Sequence, residues 1–218
     1  VYVGGLDDSG VESVFAYDRT DGTLEWQYPT IGSSDVEVSP TYAGGYLYAG
    51  ASDGRLYQLD AATGEFLWAF DAGDVRGVTV VDNVVYVTGE NSTDDVLYAL
   101  DATTREVLWT YGKPATGYGM SAPAVENGVV YVTHDGQGTY AVDAATGVEA
   151  WSRAVAGSSS RLHSPVVKDG VVYVDDASYG STDARIYALA AADGGTRWST
   201  PANVDSYTGS SPALANDT

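Results

Sequence analysis

Five tryptophans constrain this chain more than any other feature. Trp26, Trp68, Trp109, Trp151 and Trp198 follow one another at spacings of 42, 41, 42 and 47 residues. A near-constant period of that length signals a repeat architecture, in which one small unit recurs and buries its faces against its neighbours. Upstream of each tryptophan runs the pattern Ala-x-Asp-x-x-x-Gly-x-x-x-Trp. It is complete in the first copy (Ala16, Asp18, Gly22, Trp26) and the fourth (Ala141, Asp143, Gly147, Trp151). The second copy has Gln58 in the Ala place, the third has Arg105 in the Gly place, and the fifth has Ala190 in the Asp place.

Each period also carries a proline eight residues before a tyrosine: Pro40 and Tyr48, Pro123 and Tyr131, Pro165 and Tyr173, with Val78 replacing proline before Tyr86. Short apolar or alternating runs that end at Gly or Asp surround those tyrosines, which is how strands read. Asp-x-x-x-Gly between two runs predicts a hairpin turn, with Asp bonding its own backbone and Gly taking a positive φ. The expectation is four strands per period and no helix. That pattern predicts an all-β fold, a β-propeller of four-stranded blades occupying residues 1–218 as a single domain. A large flat indole on the outer strand then wedges between adjacent blades, so all five tryptophans are expected to be structural.

The Ala-x-Asp-x-x-x-Gly-x-x-x-Trp pattern resembles the tryptophan-docking motif of the pyrroloquinoline-quinone (PQQ)-like propeller repeats. These occur in quinoprotein alcohol dehydrogenases, in a bacterial outer-membrane assembly lipoprotein and in many surface proteins without known activity. In the dehydrogenases, the resemblance implies a Ca²⁺ held by acidic and amide side chains, a catalytic Asp beside the quinone and often a pair of adjacent cysteines. This chain has no cysteine, and no Glu, Asn and Asp set stands in matching context. PQQ and Ca²⁺ are therefore not expected as cofactors.

Val1-Tyr2-Val3 matches the second strand of a blade, and Ser211-Pro212-Ala213-Leu214 matches the first. Their pairing would close a five-bladed ring and remove its open edges. The alternative is a fragment of a larger ring, because relatives with this motif usually have seven or eight blades and the chain opens on Val1 without an initiator Met.

Composition narrows the partners. The net charge is −20, with 22 Asp and 8 Glu against 8 Arg and 2 Lys. Such a field repels nucleic acid and anionic lipid. It resembles the acidic surfaces of halophile proteins, whose mutual repulsion is screened by ambient salt. Apolar runs of four or five residues are far short of the roughly 20 that cross a bilayer as a helix. Asn91-Ser92-Thr93 and Asn216-Asp217-Thr218 fit the N-glycosylation pattern and lend slight support to export.

Propellers usually bind ligands where the loops entering the innermost strands converge. Alignment on the proline position makes Val38, Arg76, Ser121, His163 and Ser210 equivalent, with Glu37, Tyr118, Met120, Arg161, Leu162 and Tyr207 one to three residues further out. Arg76, Arg161 and His163, flanked by Tyr118 and Tyr207, form a candidate cationic site at the channel mouth for a small anionic or aromatic ligand. The competing expectation is that Asp35, Glu37 and Asp74 neutralise these cations. The loops between second and third strands are longer in blades one, three and five and carry acids (Asp7, Asp8, Glu12; Glu90, Asp94, Asp95; Asp175, Asp176, Asp183). They are readable as Ca²⁺ ligands or as solvated halophilic loops, and none has the spacing of a known calcium motif. With His134 and His163 in different blades, neither a histidine metal site nor a catalytic triad is expected.

The chain is thus expected to be a non-enzymatic, extracellular or cell-surface propeller that presents rigid loops to a protein partner or a small anionic ligand. A quinoprotein oxidoreductase, or a fragment of one, and a structural module of a surface assembly are the alternatives.

Overall fold

The structure, a computed structural model, describes residues 1–30, 39–115, 119–155, 160–178, 185–201 and 211–214. Its regular unit starts at the predicted turn. In the first four copies one carboxylate oxygen of the motif Asp (Asp18, Asp60, Asp101, Asp143) accepts from the backbone N–H groups two and three residues on. The N–H at the Gly position donates to the carbonyl four residues back in all five copies, at 2.8–3.0 Å. That closure needs a left-handed residue: Gly22, Gly64, Gly147 and Gly194 have φ of 70–74°, and Arg105 is forced to 68°. In the fifth copy, the backbone bond from Gly194 to Ala190 persists although the Asp side chain is missing.

On either side of each turn, the chain forms antiparallel strands. The first sheet is β1 (Tyr2–Leu6), β2 (Glu12–Tyr17) and β3 (Leu24–Pro29). The second is β4 (Thr41–Ala43), β5 (Tyr46–Gly50), β6 (Arg55–Asp60) and β7 (Phe66–Asp71). The third is β8 (Gly77–Val81), β9 (Val84–Glu90), β10 (Asp94–Asp101) and β11 (Val107–Pro114). The fourth is β12 (Ala124–Glu126), β13 (Val129–His134), β14 (Gly138–Asp143) and β15 (Glu149–Arg153). In the fifth, β16 (Ser160–Leu162) and β17 (Val166–Lys168) both pair with β18 (Val171–Ser178), followed by β19 (Arg185–Ala190) and β20 (Thr196–Pro201). Five up-and-down sheets with no helix among the described residues are the blades that the period predicts.

Register explains the motif's first residue. Ala16, Gln58, Ala99, Ala141 and Ala188 each lie directly across from the tryptophan of their own blade, and a bulge follows each one. A small side chain there leaves room for the indole to lean toward the next sheet. Trp26 donates to the Ala61 carbonyl at 3.2 Å, Trp109 to Ala144 at 2.9 Å and Trp151 to Ala191 at 2.8 Å, each on the following blade. The glycine of the receiving turn lies under the ring. A Cβ on Gly64, Gly147 or Gly194 would come within 2.6–2.7 Å of Trp26, Trp109 or Trp151. Motif Gly and motif Trp are therefore two halves of one contact made between consecutive blades.

The two main departures from the motif meet at one junction. Trp68 leaves the blade of Gln58 and packs against a buried cluster that includes Leu100 of the blade that carries Arg105. There the buried Gln58 amide donates to the Tyr48 hydroxyl at 2.9 Å, and the Arg105 guanidinium reaches back to the Leu67 carbonyl at 3.3 Å. A non-glycine residue in the left-handed region costs roughly 1–2 kcal/mol, and the exposed Arg105 bond offsets only part of that. Arg105→Gly is expected to raise stability by about 0.5–1 kcal/mol, read as a higher urea midpoint at fixed salt.

Pairing of residues 211–214 with β1 is not among the described strand pairs. Those residues lie in no strand, and β1 is the edge of a three-stranded sheet. Four tryptophans dock on a following blade, whereas Trp198 is 48% exposed. The ring of Trp198 packs against Tyr173 of its own blade, with centres 6.1 Å apart.

Candidate functional site

Two of the positions aligned on the proline, Arg76 and Ser121, make equivalent backbone bonds. The N–H of Arg76 donates to the Thr88 carbonyl and that of Ser121 to the Thr133 carbonyl, the same bond in successive blades. Of the five cationic and aromatic candidates, Tyr118 and Tyr207 lie outside the described residues, as do Val38, Ser210, Asp35 and Glu37. Arg161 is in β16 opposite Ala177. The side chains of Arg76 and His163 are described, and each is engaged by carboxylates of its own blade. Arg76 contacts Asp74 at 2.5 Å and Glu90 at 3.6 Å. His163 Nδ1 lies 2.7 Å from Asp175 Oδ2. Asp74 was the expected partner of Arg76, and Glu90, from a neighbouring strand, is the one that sequence reasoning missed.

The long acidic loops have a role that their composition did not reveal. Glu12 and Asp95 occupy the same register position, opposite the last residue of β1 and of β9 respectively, and both are buried. Glu12 accepts from the Ser52 N–H at 3.2 Å and from its hydroxyl at 2.9 Å. Asp95 Oδ2 lies 2.9 Å from His134 Nε2. Each carboxylate thus crosses from an odd-numbered blade to the next. The other His134 nitrogen, Nδ1, faces the Asp135 carbonyl at 3.1 Å. Both ring nitrogens thus face acceptor oxygens, and the ring is held from both sides. Among the described residues, no three His, Asp or Glu side chains converge as a metal site. Among the described acidic-loop residues, Glu12 and Asp95 are engaged in inter-blade bonds. Asn91 uses its side-chain oxygen to cap its own turn, accepting from the Thr93 and Asp94 N–H groups.

Hydroxyls join the inner strands. Thr41 donates to the Val78 carbonyl and Thr79 to the Pro123 carbonyl, so the residue after the proline position in one blade bonds the proline position of the next. Thr133 likewise donates to the His163 carbonyl. Farther out, Tyr111 donates to Glu149 at 2.5 Å and Lys113 at 2.9 Å, with the Lys113 ammonium 4.7 Å from the Tyr140 ring centre. Burial, followed by the Glu149 bond, pushes the Tyr111 hydroxyl pKa well up. The Tyr111 hydroxyl, followed in effect by Lys113, holds Glu149 below the usual carboxylate range. The turn aspartates Asp18, Asp60, Asp101 and Asp143 are lowered as well, by their turn hydrogen bonds.

These directions fix the sign of the acid response. A carboxyl whose folded pKa is depressed stabilises the fold at pH above its unfolded value, near 4, and that contribution disappears as pH falls through the folded value. The melting temperature is expected to fall steadily below about pH 4. Glu149→Gln should flatten part of that slope in a pH series at constant salt. An unchanged slope would assign the loss to other groups.

Five sheets joined by indoles that pass from blade to blade define a β-propeller of the PQQ type. The profile of the PQQ_2 family, described as outer membrane protein assembly factor BamB, matches residues 10–124 and 113–218. The chain belongs to that family. The BamB of Moranella endobia is 31% identical over 58 residues, 27% of this chain and 15% of that protein. Among solved structures, BamB from Moraxella catarrhalis superposes with a TM-score of 0.71 at 23% identity, covering 92% of this chain and 58% of that one. A europium-containing methanol dehydrogenase superposes with a TM-score of 0.70 at 16% identity, covering 92% and 49%. The structural likeness is one of fold, and this chain spans about half the length of those proteins.

Proposed function

We propose that this chain is a non-enzymatic propeller scaffold that offers rigid loops to a protein partner, outside the cell or at its surface, in a salt-rich setting. One observation carries the reading: the side chains best suited to chemistry are occupied in holding blades or loops. Glu12 holds Ser52, Asp95 faces His134, Asp175 faces His163, and Arg76 lies between Asp74 and Glu90. An arginine already flanked by two carboxylates is a poor receptor for an anion, which favours a protein partner over a small anionic ligand. The family description as an assembly factor supports the same choice. The net charge of −20 supports the salt-rich setting.

The test incubates the purified chain with PQQ, Ca²⁺, an alcohol and a redox dye in molar KCl, followed by gel filtration. No dye reduction and no quinone absorbance in the protein peak are expected. Stoichiometric retention of PQQ with turnover would replace this reading by the oxidoreductase one. Crosslinking in the source cell, mapped by mass spectrometry, should place a protein partner on the loops at one end of the blades. Crosslinks scattered over the whole surface would contradict a scaffold.

A further inference from the structure

The tip of the hairpin between β9 and β10 carries a turn cap that differs in one respect from the others. Asn91, Ser92 and Thr93 are exposed, and they alone separate the two strands. The Asn91 side-chain oxygen accepts from the Thr93 N–H at 2.9 Å and from the Asp94 N–H at 2.8 Å, with the Thr93 hydroxyl 3.2 Å away. Backbone N–H groups only donate, so they fix which end of the amide faces the turn. The nitrogen, Nδ2, is therefore turned away from the cap, and among the described residues it donates to nothing.

Elsewhere a carboxylate makes this cap. The same place in the first blade, directly after β1, holds Asp7, whose Oδ1 accepts from the Ser9 and Val11 N–H groups at 2.8 and 2.9 Å. Asp18, Asp60, Asp101 and Asp143 cap the motif turns in the same way. A charged acceptor makes the stronger bonds, and the Val11 N–H above all holds the Asp7 carboxyl below the usual carboxylate range. Crowding by like charge does not keep a carboxylate out of such a loop, because Asp8 follows Asp7 directly. In a chain with 22 Asp and 5 Asn, the exception at position 91 gives up the better acceptor. What asparagine adds is an amide nitrogen, and that is the atom the protein leaves unused. Thr93 stands two residues on and Ser92 between them, which completes the acceptor triplet Asn-x-Thr.

We propose that Asn91 is an N-glycosylation site, its Nδ2 presented for transfer of a glycan from a polyprenyl-phosphate-linked donor. The triplet marks surface loops of exported proteins, so this inference rests on the export proposed above. In the transfer, Nδ2 attacks the anomeric carbon of the first sugar and gives up one proton. The new N–C bond forms as the bond from that carbon to the phosphate oxygen breaks, and the polyprenyl phosphate leaves with the electron pair. The cap survives the reaction, because its oxygen takes no part. The glycan would stand at the end of the third blade that carries Arg76, whose guanidinium reaches Glu90, the residue before Asn91. Asn83 and Asn127 are not equivalent candidates, since each has a valine two residues on.

The test separates the source cell into cytoplasm and exterior, purifies the protein from each, and reads its intact mass and the peptide that contains Asn91. Protein from the exterior is expected to carry sugar residues on Asn91 in most molecules. Thr93→Ser keeps the hydroxyl and should remain modified, whereas Thr93→Ala should lose the glycan. Asn91→Asp should lose it too while keeping the cap. Its melting temperature, compared with wild type when both are prepared without glycan, is expected to be equal or slightly higher. A clear fall would show that the amide nitrogen has a structural role and would overturn the inference. Exterior protein with Asn91 bare overturns it as well and leaves the export reading standing. Protein confined to the cytoplasm overturns the export reading, and the inference with it. A mass increase that survives Thr93→Ala would assign the sugar to other residues and would likewise reject Asn91.

Discussion

Trp109→Ala is expected to lower the unfolding free energy by roughly 3–5 kcal/mol, the usual cost of truncating a buried large aromatic side chain. Trp109 is 9% exposed, packs with Tyr86, Leu97, Val130 and Val142, and donates to Ala144 across the blade boundary. Truncation leaves a cavity between two sheets and removes the donor for that carbonyl. Against a typical total of about 5–15 kcal/mol, this loss is large enough to abolish folding. Trp109→Phe, which keeps most of the volume and loses the N–H, provides a milder reading of the same junction. Gly147→Val attacks the contact from the other side, placing a branched side chain at φ 72° and 2.7 Å from the Trp109 ring. By contrast, Trp198→Ala, at a half-exposed ring, should change stability by less than about 0.5 kcal/mol. Urea denaturation at fixed salt separates these cases, and equal losses at Trp109 and Trp198 would contradict the inter-blade assignment.

The second large effect is expected at Asp95. His134 is fully buried with both ring nitrogens in contact: Nδ1 with the Asp135 carbonyl and Nε2 with Asp95. Asp95→Ala leaves Nε2 inside the protein without its partner, and a stranded buried polar group costs about 1–3 kcal/mol. Loss of the carboxylate's packing puts the expected destabilisation near the upper end, about 3 kcal/mol. Asp95→Asn should be far milder, because its amide can donate to Nε2 while Nδ1 keeps its bond. The order Ala much worse than Asn, seen in thermal melts, identifies the hydrogen bond as the stabilising feature. Equal effects would identify the charge instead.

The parts of the fold legible in the sequence are those set by short-range chemistry. Asp60 and Gly64 announce their turn because the carboxylate bonds the backbone two and three residues on, and only a left-handed residue closes the loop. Trp26 announces a junction because an indole of that size at a fixed offset from the turn needs a partner sheet. The links missed by sequence reasoning join residues 39 or 40 positions apart, as in Asp95 with His134 and Glu12 with Ser52. No local spacing encodes them, although the longer acidic loops in alternate blades were their visible trace. The alignment singled out Arg76, but its electrostatics depend on Glu90 at the end of a neighbouring strand. Trp198 shows the limit most simply: its motif keeps the Gly and Trp of the other copies, yet the ring is 48% exposed.

Hydrogen exchange of the five indole N–H groups, followed by NMR in dilute solution, tests the blade-locking account most directly. Trp26, Trp109 and Trp151, whose indoles donate to carbonyls on the following blade, should exchange slowly, and the half-exposed Trp198 should exchange near the rate of a free indole. Comparable rapid exchange at Trp109, Trp151 and Trp198 would show that the indoles do not join the blades.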